Sequence, residues 1–357
     1  MGSDFGGWLR VPTKCRFCIL GVVAGLGAAT MLLAQDEATT TLHAYVNLVQ
    51  IPVLVLSPSR QPLAPIAANR FGIKIDDGPL FRARHVRLEG DDPISLSILL
   101  DVNGFDKRLL PRIDDAIAEL APLSLHPRDH VSIYAMDCSL IRTLDDAPAE
   151  GVLLKSAVDR ALQPWISRGR RENEHGCSTH ANLWDALTFL THRLYDLPGR
   201  RVILAVTDGS DKGSKSTWNE LRVDAQERAV AIFGLKYVPE VGQFRYWGDG
   251  TESPFDAVCE LSGGLVLSAN EWSLKKELKL FTTMLRGRYI VEFPRPFNGT
   301  PGPHNLAVMI DKSHAFIRSA GIAVPMPDPA VMADPTTVPS DPSRTPELGK
   351  RRILTAP

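Results

Sequence analysis

The chain carries no surplus of charge: its 40 Lys and Arg are matched by 41 Asp and Glu, a formal net charge of -1 over 357 residues. With no basic stripe interleaved with aromatics, that balance gives no reason to expect nucleic acid or an anionic membrane as partner. A G-x-S-x-G elbow, a Walker loop and a dinucleotide fingerprint after a first strand are all missing, which removes the usual motif routes to hydrolase, nucleotide and nicotinamide chemistry. No repeat of fixed period is present. Cysteine is sparse, five in all. Cys15 and Cys18 form a CxxC inside the N-terminal targeting stretch, where a redox or zinc role has no place. Cys138, Cys177 and Cys259 remain, and an odd count in an oxidising compartment allows at most one disulfide within the chain, which spacing alone does not choose.

One long apolar run is present, Phe17 to Ala34, preceded by Arg10, Lys14 and Arg16 and followed by polar Gln35-Asp36-Glu37. A basic flank, an apolar stretch and a small residue at the cut describe a secretory signal peptide over residues 1–34, cleaved after Ala34. The run also approaches the ~20 residues that span a bilayer, so an uncleaved anchor is the alternative. Either way the body is expected outside the cytoplasm: periplasmic, secreted or anchored.

The 44% hydrophobic content supplies material for two cores. Residues 43–92 are β-rich, with an apolar, β-branched His43 to Leu56, an alternating Phe71 to Asp76, and Asp77-Gly78 turning into Leu80 to Leu88. From Ile94 the texture changes. Strand-like runs at 94–101, 130–136, 201–207, 231–238 and 264–268 alternate with helical stretches near 108–121, 151–162, 181–195, 215–229, 252–261 and 271–286. That alternation predicts an α/β domain over 93–286, a doubly wound, mostly parallel sheet with helices on both faces. Strand texture returns at Arg288 to Phe293, His304 to Ile310 and Ala315 to Val324. Each flank is too short to bury a sandwich alone, so residues 43–92 and 287–324 are expected to join in one discontinuous immunoglobulin-like β domain with the α/β domain inserted. Residues 325–357, dense in Pro, Asp, Ser and Thr without an apolar period, read as a disordered tail.

Two aspartates stand where buried strands end. Asp101 closes Ile94-Ser-Leu-Ser-Ile-Leu-Leu and opens Val102-Asn103-Gly104-Phe105-Asp106; Asp208 closes Arg201-Val-Ile-Leu-Ala-Val-Thr and opens Gly209-Ser210-Asp211. Ligands of open α/β sheets gather at such ends, so the pair suggests a site for a cation or polar partner. Asp101-Val-Asn103-Gly-Phe105 resembles the Asp-x-Ser-x-Ser loop of von Willebrand factor type A domains, Thr207-Asp208-Gly209 their second acidic loop, and Ala181-Asn-Leu183-Trp184-Asp185-Ala186 their Thr-x-Leu-Tyr-Asp-Ala helix start. With Val46 to Val49 and Phe71 to Gly78 before them, these landmarks resemble an exported bacterial, largely acidobacterial, branch of the family over residues 43–323. The resemblance implies adhesion or assembly without a reaction, and a metal-ion-dependent adhesion site built on Mg²⁺ or another divalent cation. Here that site is degenerate. Asn103 keeps an amide oxygen where the family has its first Ser, Phe105 replaces the second, and Ala181 replaces the Thr. The metal candidates are therefore Asp101, Asn103 and Asp208, with Thr179 (or Ser178) as an extra ligand; Mg²⁺ wants about six oxygens, so water would fill the rest.

Two loops at the same edge are the candidate partner-binding face: one with Arg168, Arg170 and Arg171 beside Trp165, the other with Phe244, Tyr246 and Trp247. Arg and aromatics dominate binding hot spots. The expected partner is an extracytoplasmic protein or glycan. The competing reading is a metal- or thiol-dependent hydrolase using His175, Cys177 and His180, but no second zinc cluster, orienting group or oxyanion hole accompanies them. Trp184 is expected in the core.

Overall fold

The computed structural model describes residues 48–324 except 60, 91, 103–107, 170–181, 212, 239–252, 295–301 and 320–321. Its centre is a six-stranded sheet. In chain order the strands are β5 (Ile94–Asp101), β6 (His130–Met136), β7 (Leu140–Pro148), β8 (Arg200–Val206), β9 (Val230–Tyr237) and β10 (Val266–Ala269), arranged β10-β9-β8-β5-β6-β7. All neighbours run parallel except the β6–β7 pair, which is antiparallel. The fold is thus mixed α/β with a mostly parallel central sheet.

Helices cover both faces because the strands are apolar on both. One face packs α1 (Ile113–Ala118), α3 (Gly151–Gly169) and α7 (Leu274–Arg286) against Leu96, Ile98, Val202, Leu204 and Phe233. The other packs α4 (Leu183–Tyr195), α5 (Trp218–Glu227) and α6 (Pro254–Leu261) against Leu99, Ile203, Ala205 and Ile232. A short α2 (Leu120–Leu123) follows α1. α7 buries Leu274, Leu278, Phe281 and Leu285, an i, i+4, i+7, i+11 stripe, and turns its lysines outward. α5 begins where Thr217 accepts from Glu220 N–H and the Glu220 carboxylate accepts from Thr217 N–H, a reciprocal cap. α6 begins with Ser253 as N-cap and Pro254 in the first turn.

The flanking strands pair with one another. β1 (Leu48–Leu56), β4 (His85–Leu88), β11 (Tyr289–Pro294) and β14 (Phe316–Ser319) form an antiparallel sheet in the order β14-β1-β11-β4. β2 (Phe71–Ile75), β3 (Phe81–Arg82) and β13 (Leu306–Ile310) form a second, in the order β13-β2-β3. Between them lie Val49, Ile51, Val53, Val55, Phe71, Ile73, Tyr289, Val291 and Phe293. β12 (Gly302–His304) and β15 (Ile322–Val324) make a separate ribbon. β1 obeys the period of two on both sides: its odd positions enter this core while Leu54 and Leu56 enter the α/β core. A buried His304–Asp76 contact of 2.6 Å, with Asp76 also accepting from Asn305 N–H at 2.9 Å, ties β12 to the end of β2.

Where the chain passes between the two parts, charge is buried and matched. Arg288 grips the Glu89 carboxylate with two parallel bonds of 2.7 and 2.8 Å, both side chains being 2% exposed or less. Arg286 reaches the carbonyls of Gly90 (3.2 Å) and Asp92 (3.0 Å) and pairs with the Asp129 carboxylate. Asp129 is fully buried and also accepts from the backbone of Ile94 at 3.0 Å and His126 at 2.6 Å. These groups lie at the N-terminal ends of β5 and β6.

One expectation is corrected. The helical stretch near 151–162 continues to Gly169, with Pro164 inside it, so Trp165 belongs to α3 and packs partly buried against the core instead of standing in a loop. A Pro in a helix loses one i→i−4 bond and crowds the previous turn, yet the apolar face formed by Leu154, Ala157, Val158, Ala161 and Leu162 holds the helix together through it. β7 was not anticipated. Its sequence is polar and half exposed, which suits an edge strand covered on one side only.

Candidate functional site at the C-terminal edge of the sheet

β5 and β8 are hydrogen-bonded neighbours running the same way, with Leu100 opposite Val206. Their ends therefore fall on one edge, and with them Asp101, the last residue of β5, and Asp208, two residues beyond β8. Asp101 is 4% exposed and accepts from the Thr207 hydroxyl at 2.9 Å; the same hydroxyl accepts from Gly209 N–H at 3.1 Å. Asp208 is half-buried and accepts from Ser210 N–H at 2.7 Å. Gly209 adopts φ +81, and a Cβ there would stand 3.0 Å from Phe255 and 3.1 Å from Lys236 Cε, so the turn that sets Asp208 needs glycine on both counts. Lys236 beneath it is held by Asp256 at 2.6 Å and the Ser253 hydroxyl at 3.1 Å.

The loop after Asp208 is locked to the start of α4. Asp211 accepts from Trp184 N–H at 3.2 Å and from the Ser214 hydroxyl at 2.6 Å, while Ser214 in turn accepts from Asp185 N–H at 3.2 Å. Asp185 accepts from the backbone of Ser216 at 2.8 Å and Lys215 at 3.0 Å. Burial pushes its carboxyl up, but those two amides, the Ser216 hydroxyl and the Lys215 charge together hold it below the ordinary carboxylate value. Asp185 is a loop clamp. Trp184, 8% exposed, packs against Phe255 in the core, as its residue type suggested.

Asn103 and Thr179 lie outside the described residues, as do Ser178, Arg170, Arg171, Phe244, Tyr246 and Trp247, and so do His175, Cys177 and His180. Arg168 has its backbone in the last turn of α3. Among the described residues no group of three or more His, Cys, Asp or Glu is placed to hold a metal ion. The described donors at the edge are two carboxylates and the Thr207 hydroxyl, a hard-oxygen set whose chemistry suits Mg²⁺ or Ca²⁺ but which, at one oxygen each, covers half of a shell of about six. Cys138, just past β6, is disulfide-bonded to a cysteine outside the described residues, and Cys259 is free. Burial pushes the Cys259 thiol well up, with Asp256 adding to the effect, which disfavours its thiolate.

The edge also holds an aromatic cluster that the sequence reading passed over. The Arg108 guanidinium stacks on Tyr237, the last residue of β9, at 3.7 Å from the ring centre. Arg112 lies 4.7 Å from the ring centre of Trp272 and donates to the Glu271 carbonyl at 3.1 Å. Trp272 is 74% exposed. It follows β10 by three residues, and Ala269 of β10 is the register partner of Tyr237, so the two stacked pairs sit side by side. Arg108 and Arg112 lie in the turns that lead into α1, and an aromatic just past a strand end, Trp272, was the available signal.

Among the described residues no helix is long and apolar enough to cross a membrane; Phe17 to Ala34 lies outside them. No protein-family model matches the chain, and no curated protein matches its sequence. Among solved structures it is similar to the conserved hypothetical protein BatB from Bacteroides thetaiotaomicron, with 15% identity over 53% of this chain and 99% of that one at a TM-score of 0.36. It is similar also to proximal thread matrix protein 1 from the mussel byssus, with 10% identity over 56% of this chain and 49% of that one at 0.38. A third is the manganese-loaded TRAP protein of Plasmodium vivax, with 12% identity over 66% and 95% at 0.36. The chain thus spans about half the mussel protein. Scores at this level describe partial overlap and carry nothing about the chemistry of this edge.

Proposed function

We propose that the chain is a non-catalytic interaction module of the von Willebrand factor type A kind, binding an extracytoplasmic protein or glycan through the C-terminal edge of its parallel sheet. The flanking immunoglobulin-like sheets act as the stalk. The observation that carries this reading is the convergence of Asp101 and Asp208 on one edge, joined through Thr207 and bordered by exposed Arg and aromatic side chains. The ordered landmarks of the sequence, Asp101 to Phe105, Ala181 to Ala186 and Thr207 to Gly209, support the family assignment. Export, by a cleaved signal or an anchor, is supported by the Phe17 to Ala34 run and by the disulfide at Cys138, a bond that persists outside the reducing cytoplasm.

A divalent cation at this edge would be held by Asp101 and Asp208, with Asn103 and Thr179 as the further protein oxygens and water completing the shell. Its chemistry would be to offer an open coordination position to a partner's carboxylate. The chain's own residues set the frame: Thr207 fixes one oxygen of Asp101, and Ser210 N–H fixes one oxygen of Asp208. Calorimetric titration with Mg²⁺, Mn²⁺ and Ca²⁺ should give heat with the protein and none with Asp101→Ala; heat in neither means recognition without metal. Independently, the immobilised protein should retain an extracytoplasmic protein or glycan that Asp208→Ala releases, and equal retention by the two would rule out this edge as the binding face.

A further inference from the structure

The two cation–aromatic pairs have a chemistry that narrows the partner. A guanidinium lying over a ring keeps its N–H groups at the edge of its own plane, above the ring, where an edge left open can meet a carboxylate with two parallel bonds. Trp272 has Arg112 on one side and, at 74% exposure, presents the rest of its indole to solvent. Arg108 and Arg112 are both exposed, and each is held by the ring it covers, so little side-chain freedom is left to lose on binding. Lys275 nearby is engaged by Glu119. An open aromatic face beside two ordered guanidinium groups matches a ligand that has a flat C–H surface and a carboxylate on the same unit. A pyranose ring bearing a carboxyl group has both. An acidic peptide has the carboxylate without the flat ring.

Resting on the interaction-module reading, we propose that the surface formed by Arg108, Tyr237, Arg112 and Trp272 binds an anionic polysaccharide of uronic-acid type, with a sugar ring stacked on Trp272 and its carboxylate on Arg112.

The test uses the full chain and two soluble probes, polygalacturonate and polyglutamate, with binding followed by tryptophan fluorescence and by calorimetry. Polygalacturonate should bind, and Trp272→Ala and Arg112→Ala should each weaken it by about tenfold or more, the size of a hot-spot loss. Trp272→Phe, which keeps a ring, should recover most of the affinity. Because Trp272 is exposed, its replacement leaves the fold intact, which an unchanged thermal midpoint will verify. Three results would overturn the proposal: no binding of polygalacturonate; binding that Arg112→Ala weakens and Trp272→Ala does not, which is charge alone; or polyglutamate bound as tightly, which points to an acidic protein. None of the three touches the wider reading, which fails only if Asp208→Ala retains the natural partner unchanged.

Discussion

The two ends of the mostly parallel sheet differ in how deeply they hold their guanidinium groups. At the N-terminal end Glu89, Asp129 and Asp92 face Arg288, Arg286, Arg200 and Arg87, and the first two carboxylates are buried against guanidinium groups. At the C-terminal end Asp101 accepts from a hydroxyl and Asp208 from a backbone amide, while Arg112 lies on the exposed Trp272 and Arg108 on the half-buried Tyr237. The first end lies where the chain passes between the α/β part and the flanking strands, so matched charge fixes a geometry. The second turns Trp272 to solvent, at the end where open α/β sheets meet ligands. The difference teaches that burial decides what a guanidinium is for: Arg288 is committed to Glu89 inside the fold, whereas Arg112 stays exposed beside Trp272.

The sharpest way to break this contrast is at the junction. Glu89→Ala should cost about 3–5 kcal/mol in urea unfolding, since it strands the Arg288 guanidinium in a dry site, whereas Glu89→Leu with Arg288→Met should be near neutral. If the single substitution costs no more than an exposed pair, about 1 kcal/mol, the junction is not the rigid end described here. At the opposite end, Thr207→Val removes a hydroxyl that donates to the buried Asp101 and should cost about 1–3 kcal/mol, the worth of a hydrogen bond to a charged group. The same variant should shift any cation heat.

Acid separates the ends more gently. Asp185 sits below its ordinary 3.8, so its contribution to stability is fully present above pH 3.8 and is lost as pH falls through the depressed folded value. Asp185→Asn should therefore flatten the fall of the urea midpoint below that pH; an unchanged profile would mean that the clamp between α4 and the 214–216 turn does not depend on charge. The smallest effect belongs to Trp272→Ala, within about 0.5 kcal/mol of the parent. A larger loss would make Trp272 a packing residue and remove it from the recognition surface.

Much of this frame was legible in the sequence because it is written in local pattern. Ile98 to Leu100 and Val202 to Val206 are apolar without a break, the mark of strands covered on both faces, and the residues just beyond them include Asp101 and Asp208. Leu140 to Pro148 gave no such mark, because an edge strand is covered on one side and its polar residues look like a loop. Pro164 was a local signal outvoted by the packing of its helix. The junction pairs were illegible for a different reason: Glu89 and Arg288 are 199 residues apart, and their meeting depends on β4 and β11 being neighbours, a fact of topology that no window of sequence contains. Arg112 and Trp272 met in the same way, across two strand ends.

Leu88 and Tyr289 are rung partners in adjoining strands, so the chain leaves the sandwich and returns to it through a gap of roughly one interstrand spacing, about 5 Å. An insertion hung on so narrow a stem behaves like a cartridge. New ends opened in an outward loop, with the native ends linked elsewhere, would leave the stem and its salt bridge untouched. A head of the same stem width could be exchanged for this one, provided that it brought its own cover for the Leu54 and Leu56 flank of β1.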